Sequence, residues 1–178
     1  MAVMTTTEVR PRIYVACLAS YNNGDLFGRW IDLTTLCDGD DLKEQIAEVL
    51  ESSPAPGAEE YAVHDSEGLP SWLRSEWPDL NVLMEYVTTW DSVDEPGAYR
   101  YACENAGVVL DEDDFRSCFY GTYPCTNEFA FDYYEQSGQD LGPLENYIDW
   151  SEVWSSEFDC AGWHAEPDGD GSVWIFSS

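Results

Sequence analysis

Carboxylates recur at helical spacing in three segments of this chain. Asp41, Glu44, Glu48 and Glu51 follow one another at intervals of three or four residues. Two further sets share this spacing: Glu128, Asp132 and Glu135, and Glu145, Asp149 and Glu152. Each step advances about 4.5–6 Å along a helix axis, of the same order as the ~3.4 Å phosphate rise along one DNA strand. Such faces could bind to protein sites that otherwise bind phosphates. Every amphipathic helix, however, also has a polar face that serves solvation alone.

The charge balance separates this chain from an ordinary soluble domain. It carries 36 Asp and Glu against 7 Lys and Arg, a net charge of −29, and 12 acids follow the last basic residue, Arg116. A helix is normally stabilised by ion pairs between side chains four residues apart, and few such pairs can form here. In B-DNA, 29 charges would occupy roughly 50 Å, or about 15 base pairs. We therefore expect a partner with a site for anions, most commonly a DNA-binding groove.

No recognisable catalytic or nucleotide-binding motif accompanies these acids. His64 and Asp65 are adjacent, but no G-x-S-x-G surrounds a serine. Phosphate-binding glycine loops are also missing from the sequence. Six scattered cysteines lack the paired spacing of a zinc site, and we expect reduced, mostly buried thiols in a cytoplasm. The sequence therefore predicts a protein that is not an enzyme and has no cofactor or metal.

A calcium loop is the one metal site that the sequence suggests. Glu166, Asp168, Asp170, Gly171 and Val173 imitate positions 1, 3, 5, 6 and 8 of an EF-hand. Position 12 is a serine rather than a glutamate, and no exit helix follows. We therefore interpret this segment as a hairpin turn.

Composition indicates a folded protein without a membrane span. The apolar fraction is 44% and the aromatic fraction 15%, whereas disordered acidic tails are poor in aromatics. No apolar stretch approaches 18 residues, and residues 1–11 lack the apolar core of a signal peptide. We expect no membrane partner.

Hydrophobic spacing predicts an α+β fold in three successive parts: ββαβ, helical, and α with a C-terminal β-hairpin. In residues 1–68, strands over 12–20 and 27–33 flank a turn at 21–25, a helix capped by Asp40 or Asp41 ends near Glu51, and a strand covers 60–64, giving ββαβ. Residues 69–118 are predicted to be helical, with a helix capped by Asp79, a second over 98–105 and a third opened by Asp111. Residues 119–178 should hold helices over 127–136 and 144–150, then a hairpin of 161–166 with 172–176.

The chain resembles the ArdA family of antirestriction proteins. The resemblance lies in residues 13–16 and 21–24, Gly28-x-Trp30, residues 56–65, 133–138 and 144–150, and their order is the specific feature. It is weakest over residues 69–116.

The resemblance implies dimeric mimics of bent B-form DNA, encoded by plasmids, transposons and phages. It also implies an elongated chain of three small domains, which we expect at residues 1–68, 69–118 and 119–178. Such proteins bind the specificity and modification subunits of type I restriction-modification enzymes and occupy their DNA groove. They block cleavage and often methylation. It therefore implies a homodimer that does not bind nucleic acid and acts in the cytoplasm of a bacterial host. The nearest candidate for the dimer contact is residues 128–136.

We expect the partner to bind a shared acidic surface rather than a small site. Its predicted members are Asp41, Glu44, Glu48, Glu51, Glu59, Glu60, Glu85, Asp94, Glu95, Asp111, Glu112, Asp113, Asp114, Glu128, Asp132, Glu135, Glu145, Asp149, Glu152 and Glu157. Alternatives are an acidic protein of a high-salt cytoplasm, a DNA mimic toward another DNA-binding protein, and an enzyme that uses a carboxylate pair or calcium.

Overall fold

The computed structural model describes residues 9–138 and 142–177. The described chain is mixed α+β, with seven α-helices and two three-stranded antiparallel sheets. It divides into two compact units with a boundary between Glu112 and Asp113. The α+β class is confirmed, while the division into three domains stays a prediction.

The sheet of the first unit has the order β2-β1-β3. Its strands are β1 (Arg12–Cys17), β2 (Gly28–Asp32) and β3 (Tyr61–Glu67). In β1, Ile13, Val15 and Cys17 are buried on one face, and Ala16 is buried on the other.

The predicted continuation of β1 to residue 20 and the turn at 21–25 are wrong in detail. A short helix, α1 (Leu18–Asn22), follows β1 directly. The Ser20 carbonyl accepts hydrogen bonds from the backbone N–H groups of Asn23 and Asp25, both at 3.0 Å. Gly24 has a φ of 89°, a conformation that glycine adopts without the steric cost of a side chain. The connection therefore begins as a helical turn at Leu18 and not as a turn confined to residues 21–25.

Helix α2 (Gly39–Glu51) is present as predicted, but the prediction of Asp40 or Asp41 as its N-cap is wrong. Its N-cap is Asp38, whose carboxylate accepts from the backbone N–H groups of Asp40 and Asp41 at 2.8 and 3.0 Å. Leu42 and Ile46 are buried. The predicted apolar stripe therefore packs inward and leaves the opposite face of α2 to solvent.

Two helices complete the first unit. Helix α3 (Leu80–Ser92) is capped by Asp79 as predicted. Helix α4 (Pro96–Ala106) begins two residues before the predicted start, because proline is well tolerated at the first helical position. The rings of Tyr86 and Tyr99 stack at 5.4 Å in the core, and burial raises the pKa of Tyr99 well above its usual range.

The second unit is built on a sheet with the order β4-β6-β5. After helix α5 (Glu112–Cys118) come β4 (Phe119–Tyr123), α6 (Thr126–Gln136), α7 (Trp150–Val153), β5 (His164–Pro167) and β6 (Val173–Phe176). The terminal hairpin of β5 and β6 was predicted. Strand β4 was not, and Phe119 begins this strand instead of ending a helix.

The predicted helix over 144–150 is also wrong. Gly142–Tyr147 forms a 3-10 segment, and α7 begins only after Asp149. A π-helical turn, Trp154–Phe158, and a 3-10 turn, Asp159–Ala161, then lead to β5. The core of this unit is aromatic, and Phe129 and Phe158 lie edge-on at 5.0 Å.

The cysteines are free, but the prediction that most are buried is wrong. Cys17 and Cys103 are buried, whereas Cys37, Cys125 and Cys160 are exposed. No helix within residues 9–138 and 142–177 is long and apolar enough to cross a membrane.

Candidate functional site: the acidic surface

Most carboxylates of the predicted surface are exposed. The exposed members are Glu44, Glu48, Glu51, Glu59, Glu60, Glu85, Asp94, Asp111, Asp113, Asp114, Glu128, Glu135, Asp149, Glu152 and Glu157. Four are half-buried: Asp41, Glu95, Glu112 and Asp132. The side chain of Glu145 lies outside the described part of the structure. The acids are thus distributed over both units rather than gathered in one pocket.

Helix α2 carries one continuous acidic face. Glu44, Glu48 and Glu51 are exposed on the side opposite the buried stripe. Asp41 differs, because its Oδ2 accepts a hydrogen bond from the backbone N–H of Cys37 at 2.9 Å. Its carboxylate also raises the pKa of the Cys37 thiol, first through a hydrogen bond and then through its charge. Asp41 therefore secures the start of α2 while its charge stays near the surface.

Helix α6 carries the second predicted set. Glu128 and Glu135 are exposed, and Asp132 is half-buried. Burial, followed by the charge of Asp132, raises the pKa of Tyr123. The charge of Asp132 therefore acts on Tyr123 as well as being partly open to solvent.

The third predicted set does not lie on one helix, because the 3-10 segment and α7 are separate elements. Asp149 is the N-cap of α7 and accepts from the Ser151 hydroxyl at 2.6 Å and the Ser151 backbone N–H at 3.0 Å. These hydrogen bonds, the one from the hydroxyl first, lower the pKa of Asp149. Asp149 thus combines exposure with a role in the local fold.

Asp168 has a structural role in the segment that resembles a calcium loop. Its Oδ1 accepts from the backbone N–H groups of Asp170 and Ser172 at 2.7 and 3.0 Å. These bonds close the turn between β5 and β6. Among the described residues, no group of three or more His, Cys, Asp or Glu is placed to hold a metal ion.

The His64–Asp65 pair has different neighbours from those of a catalytic dyad. The His64 ring lies edge-on to Tyr21, with ring centroids 4.9 Å apart. The Asp65 carboxylate accepts from the backbone N–H of Ser66 at 2.8 Å. Neither contact orients an imidazole toward a nucleophile.

Ion pairs compensate part of the charge of the first unit. Four of them join Arg10 to Asp32, Arg12 to Glu67, Arg29 to Glu48 and Lys43 to Asp40, at 3.9, 2.6, 3.3 and 2.7 Å. Residues 113–178 instead carry 14 acids and one basic residue, Arg116. The negative charge of the second unit is therefore less balanced than that of the first.

Comparison with known proteins adds one family. Residues 13–162 match the family described as antirestriction protein (ArdA), which is more than four-fifths of the 178-residue chain. No curated protein matches the chain. The matched region extends from β1 through α6 and α7 and so includes every acidic face described above.

Proposed function

We propose that this chain, which belongs to the ArdA family of antirestriction proteins, blocks a type I restriction-modification enzyme by occupying its DNA-binding groove. The family gives the antirestriction function and an interaction with restriction-modification enzymes in general. The observation that supports mimicry of DNA is the exposure of carboxylates on both units with few basic residues to balance them.

The proposed mechanism is competition without chemistry. Carboxylates of the protein take the places of DNA phosphates at Lys and Arg side chains of the enzyme. Helices α2 and α6 suit this role because each holds exposed acids at fixed spacing on a face whose reverse side is packed. The ArdA proteins are inhibitors, and we propose that this chain likewise has no enzymatic activity and needs no cofactor.

We propose the specificity and modification subunits as partners, because these subunits hold the DNA. A homodimer would double the negative surface. In the candidate dimer segment, residues 128–136, Phe129 and Ala130 are buried within the unit, so a second copy would contact the other residues of α6. The protein would act in the cytoplasm of the bacterial host, where the enzyme meets incoming DNA.

Inhibition should fall steeply with salt. Ionic contacts between exposed groups are screened within about 8 Å at physiological ionic strength. We expect affinity for a purified type I enzyme to fall at least about tenfold between 50 and 200 mM salt. Binding and DNA cleavage measured in parallel across this range would check the prediction.

A salt-independent affinity would contradict the proposed ionic mechanism. Unfolding measured over the same salt range is the control. A protein of a high-salt cytoplasm would lose its fold at low salt, whereas we expect this chain to stay folded there.

A single neutralising substitution should have little effect. Glu48 of α2 already pairs with Arg29 at 3.3 Å and belongs to a large set of acids. We expect Glu48→Gln to change inhibition by less than about twofold, because an exposed ion pair contributes little. Glu44→Gln, on the same face, is the matched comparison. Complete loss of inhibition in a titration of Glu48→Gln would instead indicate a local hot spot.

A further inference from the structure

Three exposed rings lie beside β3 in the first unit. Tyr21 and Trp77 are 50% and 64% exposed, and His64 is exposed within β3. Tyr21 meets His64 edge-on at 4.9 Å. We call these three residues the aromatic patch. Tyr21 and His64 are in contact, and Trp77 is joined to Tyr61, three residues before His64 along β3. Exposed rings grouped along one strand are candidates for a site of interaction.

Trp77 is held in place although its ring faces solvent. Its indole Nε1–H donates to the carbonyl oxygen of Tyr61 at 3.3 Å, and its backbone N–H donates to the Ser75 hydroxyl at 3.2 Å. The N–H of Val63 donates to the carbonyl of Glu76 at 2.9 Å, which fixes this segment along β3. A ring that is already ordered loses little entropy when a partner binds it.

The aromatic patch has acidic neighbours. Four exposed carboxylates lie close to it in sequence: Asp65 and Glu76 adjoin His64 and Trp77, and Glu59 and Glu60 directly precede β3. The ion pairs of the described chain do not include these four carboxylates. The nearest basic residue in this stretch, Arg74, donates instead to the carbonyl of Leu69 at 2.8 Å. A cationic partner is therefore complementary to this surface.

We infer that the aromatic patch and its four carboxylates form a docking surface for arginine side chains of the restriction-modification enzyme. This inference rests on the proposed function. Arginine fits better than lysine because its planar guanidinium stacks on aromatic rings and pairs with a carboxylate through two hydrogen bonds. The protein contains one such contact of its own: Arg12 lies 4.6 Å above the Trp30 ring while it pairs with Glu67 at 2.6 Å.

The same surface contains residues of two sequence segments that lie outside the acidic helices α2 and α6. Residues 21–24 supply Tyr21, and residues 56–65 supply His64 and three of the four carboxylates. The N–H of Leu18 donates to the carbonyl of Glu60 at 3.0 Å and joins α1, which contains Tyr21, to residues 56–65.

The test is a double variant, Tyr21→Ala with Trp77→Ala, in binding to the purified enzyme. We expect affinity to fall about five- to thirtyfold, as two exposed cation–π contacts would require, with an unchanged salt dependence because no charge is lost. Tyr147→Ala is the matched control, since Tyr147 is 86% exposed in the second unit, and it should bind within about twofold of the wild type. The double variant Tyr21→Phe with Trp77→Phe keeps both rings and should retain most of the affinity even if the alanine variant folds poorly.

Wild-type affinity in the double alanine variant, or equal losses in the alanine and phenylalanine variants, would overturn the inference.

A second probe separates this failure from failure of the proposed function. Hexa-arginine should bind the wild type more tightly than hexa-lysine, and Tyr21→Ala with Trp77→Ala should remove this preference. Equal binding of the two peptides would overturn the inference whatever the enzyme does. If the wild type did not bind the enzyme, the proposed function would fail instead.

Discussion

Neutralising five exposed carboxylates of the second unit together is expected to abolish inhibition. The variant carries Asp113→Asn with Glu128→Gln, Glu135→Gln, Glu152→Gln and Glu157→Gln. This unit has only Arg116 as a basic residue, so most of its charge is open to a partner. At about 0.5–1 kcal/mol for each exposed pair, five lost pairs cost about 2.5–5 kcal/mol and weaken binding about 70- to 5,000-fold. Titrating the variant into a restriction assay measures the loss.

The control keeps the charge at the same five positions. Asp113→Glu together with Glu→Asp at the other four moves each carboxylate by about one methylene, and inhibition should stay within about fivefold of the wild type. Neutralisation also removes like-charge repulsion, so the neutral variant should unfold at the same temperature as the wild type or higher. Full inhibition by this folded, neutral variant would refute a role for the second unit's charge.

The second large effect is expected in stability. Phe129 of α6 is fully buried. Its ring centroid lies 5.1, 5.0 and 5.4 Å from the ring centroids of Tyr123, Phe158 and Trp163. Phe129→Ala should cost about 3–5 kcal/mol of unfolding free energy, because it leaves a cavity among large rings. Such a loss is comparable with the whole stability of many domains. Urea unfolding followed by near-ultraviolet circular dichroism would measure it.

Phe131→Ala is the matched comparison on the same helix. Phe131 is half-buried, and its ring lies 5.4 Å from Trp150 at the side of the core. Its removal leaves a site that solvent can fill, so its cost should be clearly smaller than that of Phe129→Ala. Equal costs for the two substitutions would show that α6 does not pack as described.

The long helices could be predicted because several properties of their sequences agree. In α3, an aspartate N-cap precedes apolar residues at helical spacing. Strand β4 escaped prediction because Phe119 continues the apolar pattern of α5 without a proline, glycine or asparagine between them. The helix predicted after residue 143 failed for a different reason. Asp149 could equally occupy a helix face or an N-cap, and the hydrogen bonds from Ser151 decide between these positions.

The candidate site was predictable only in part. Exposure of Glu44 and Glu51 follows from the apolar stripe on the other side of α2. The aromatic patch could not be found in this way, since Tyr21 and Trp77 are distant in sequence and come to β3 through backbone hydrogen bonds. Nor does spacing distinguish Asp41, which bonds to the Cys37 backbone, from acids whose oxygens are left to solvent.

Equilibrium competition is the most direct test of DNA mimicry. A fluorescent duplex that carries the enzyme's recognition site is bound to the type I enzyme, and this protein is then titrated in at low salt. Mimicry predicts complete displacement of the DNA, with an apparent Kd for DNA that rises in proportion to the concentration of the protein. A ternary complex of DNA, enzyme and this protein, or DNA that stays bound at saturating protein, would contradict it.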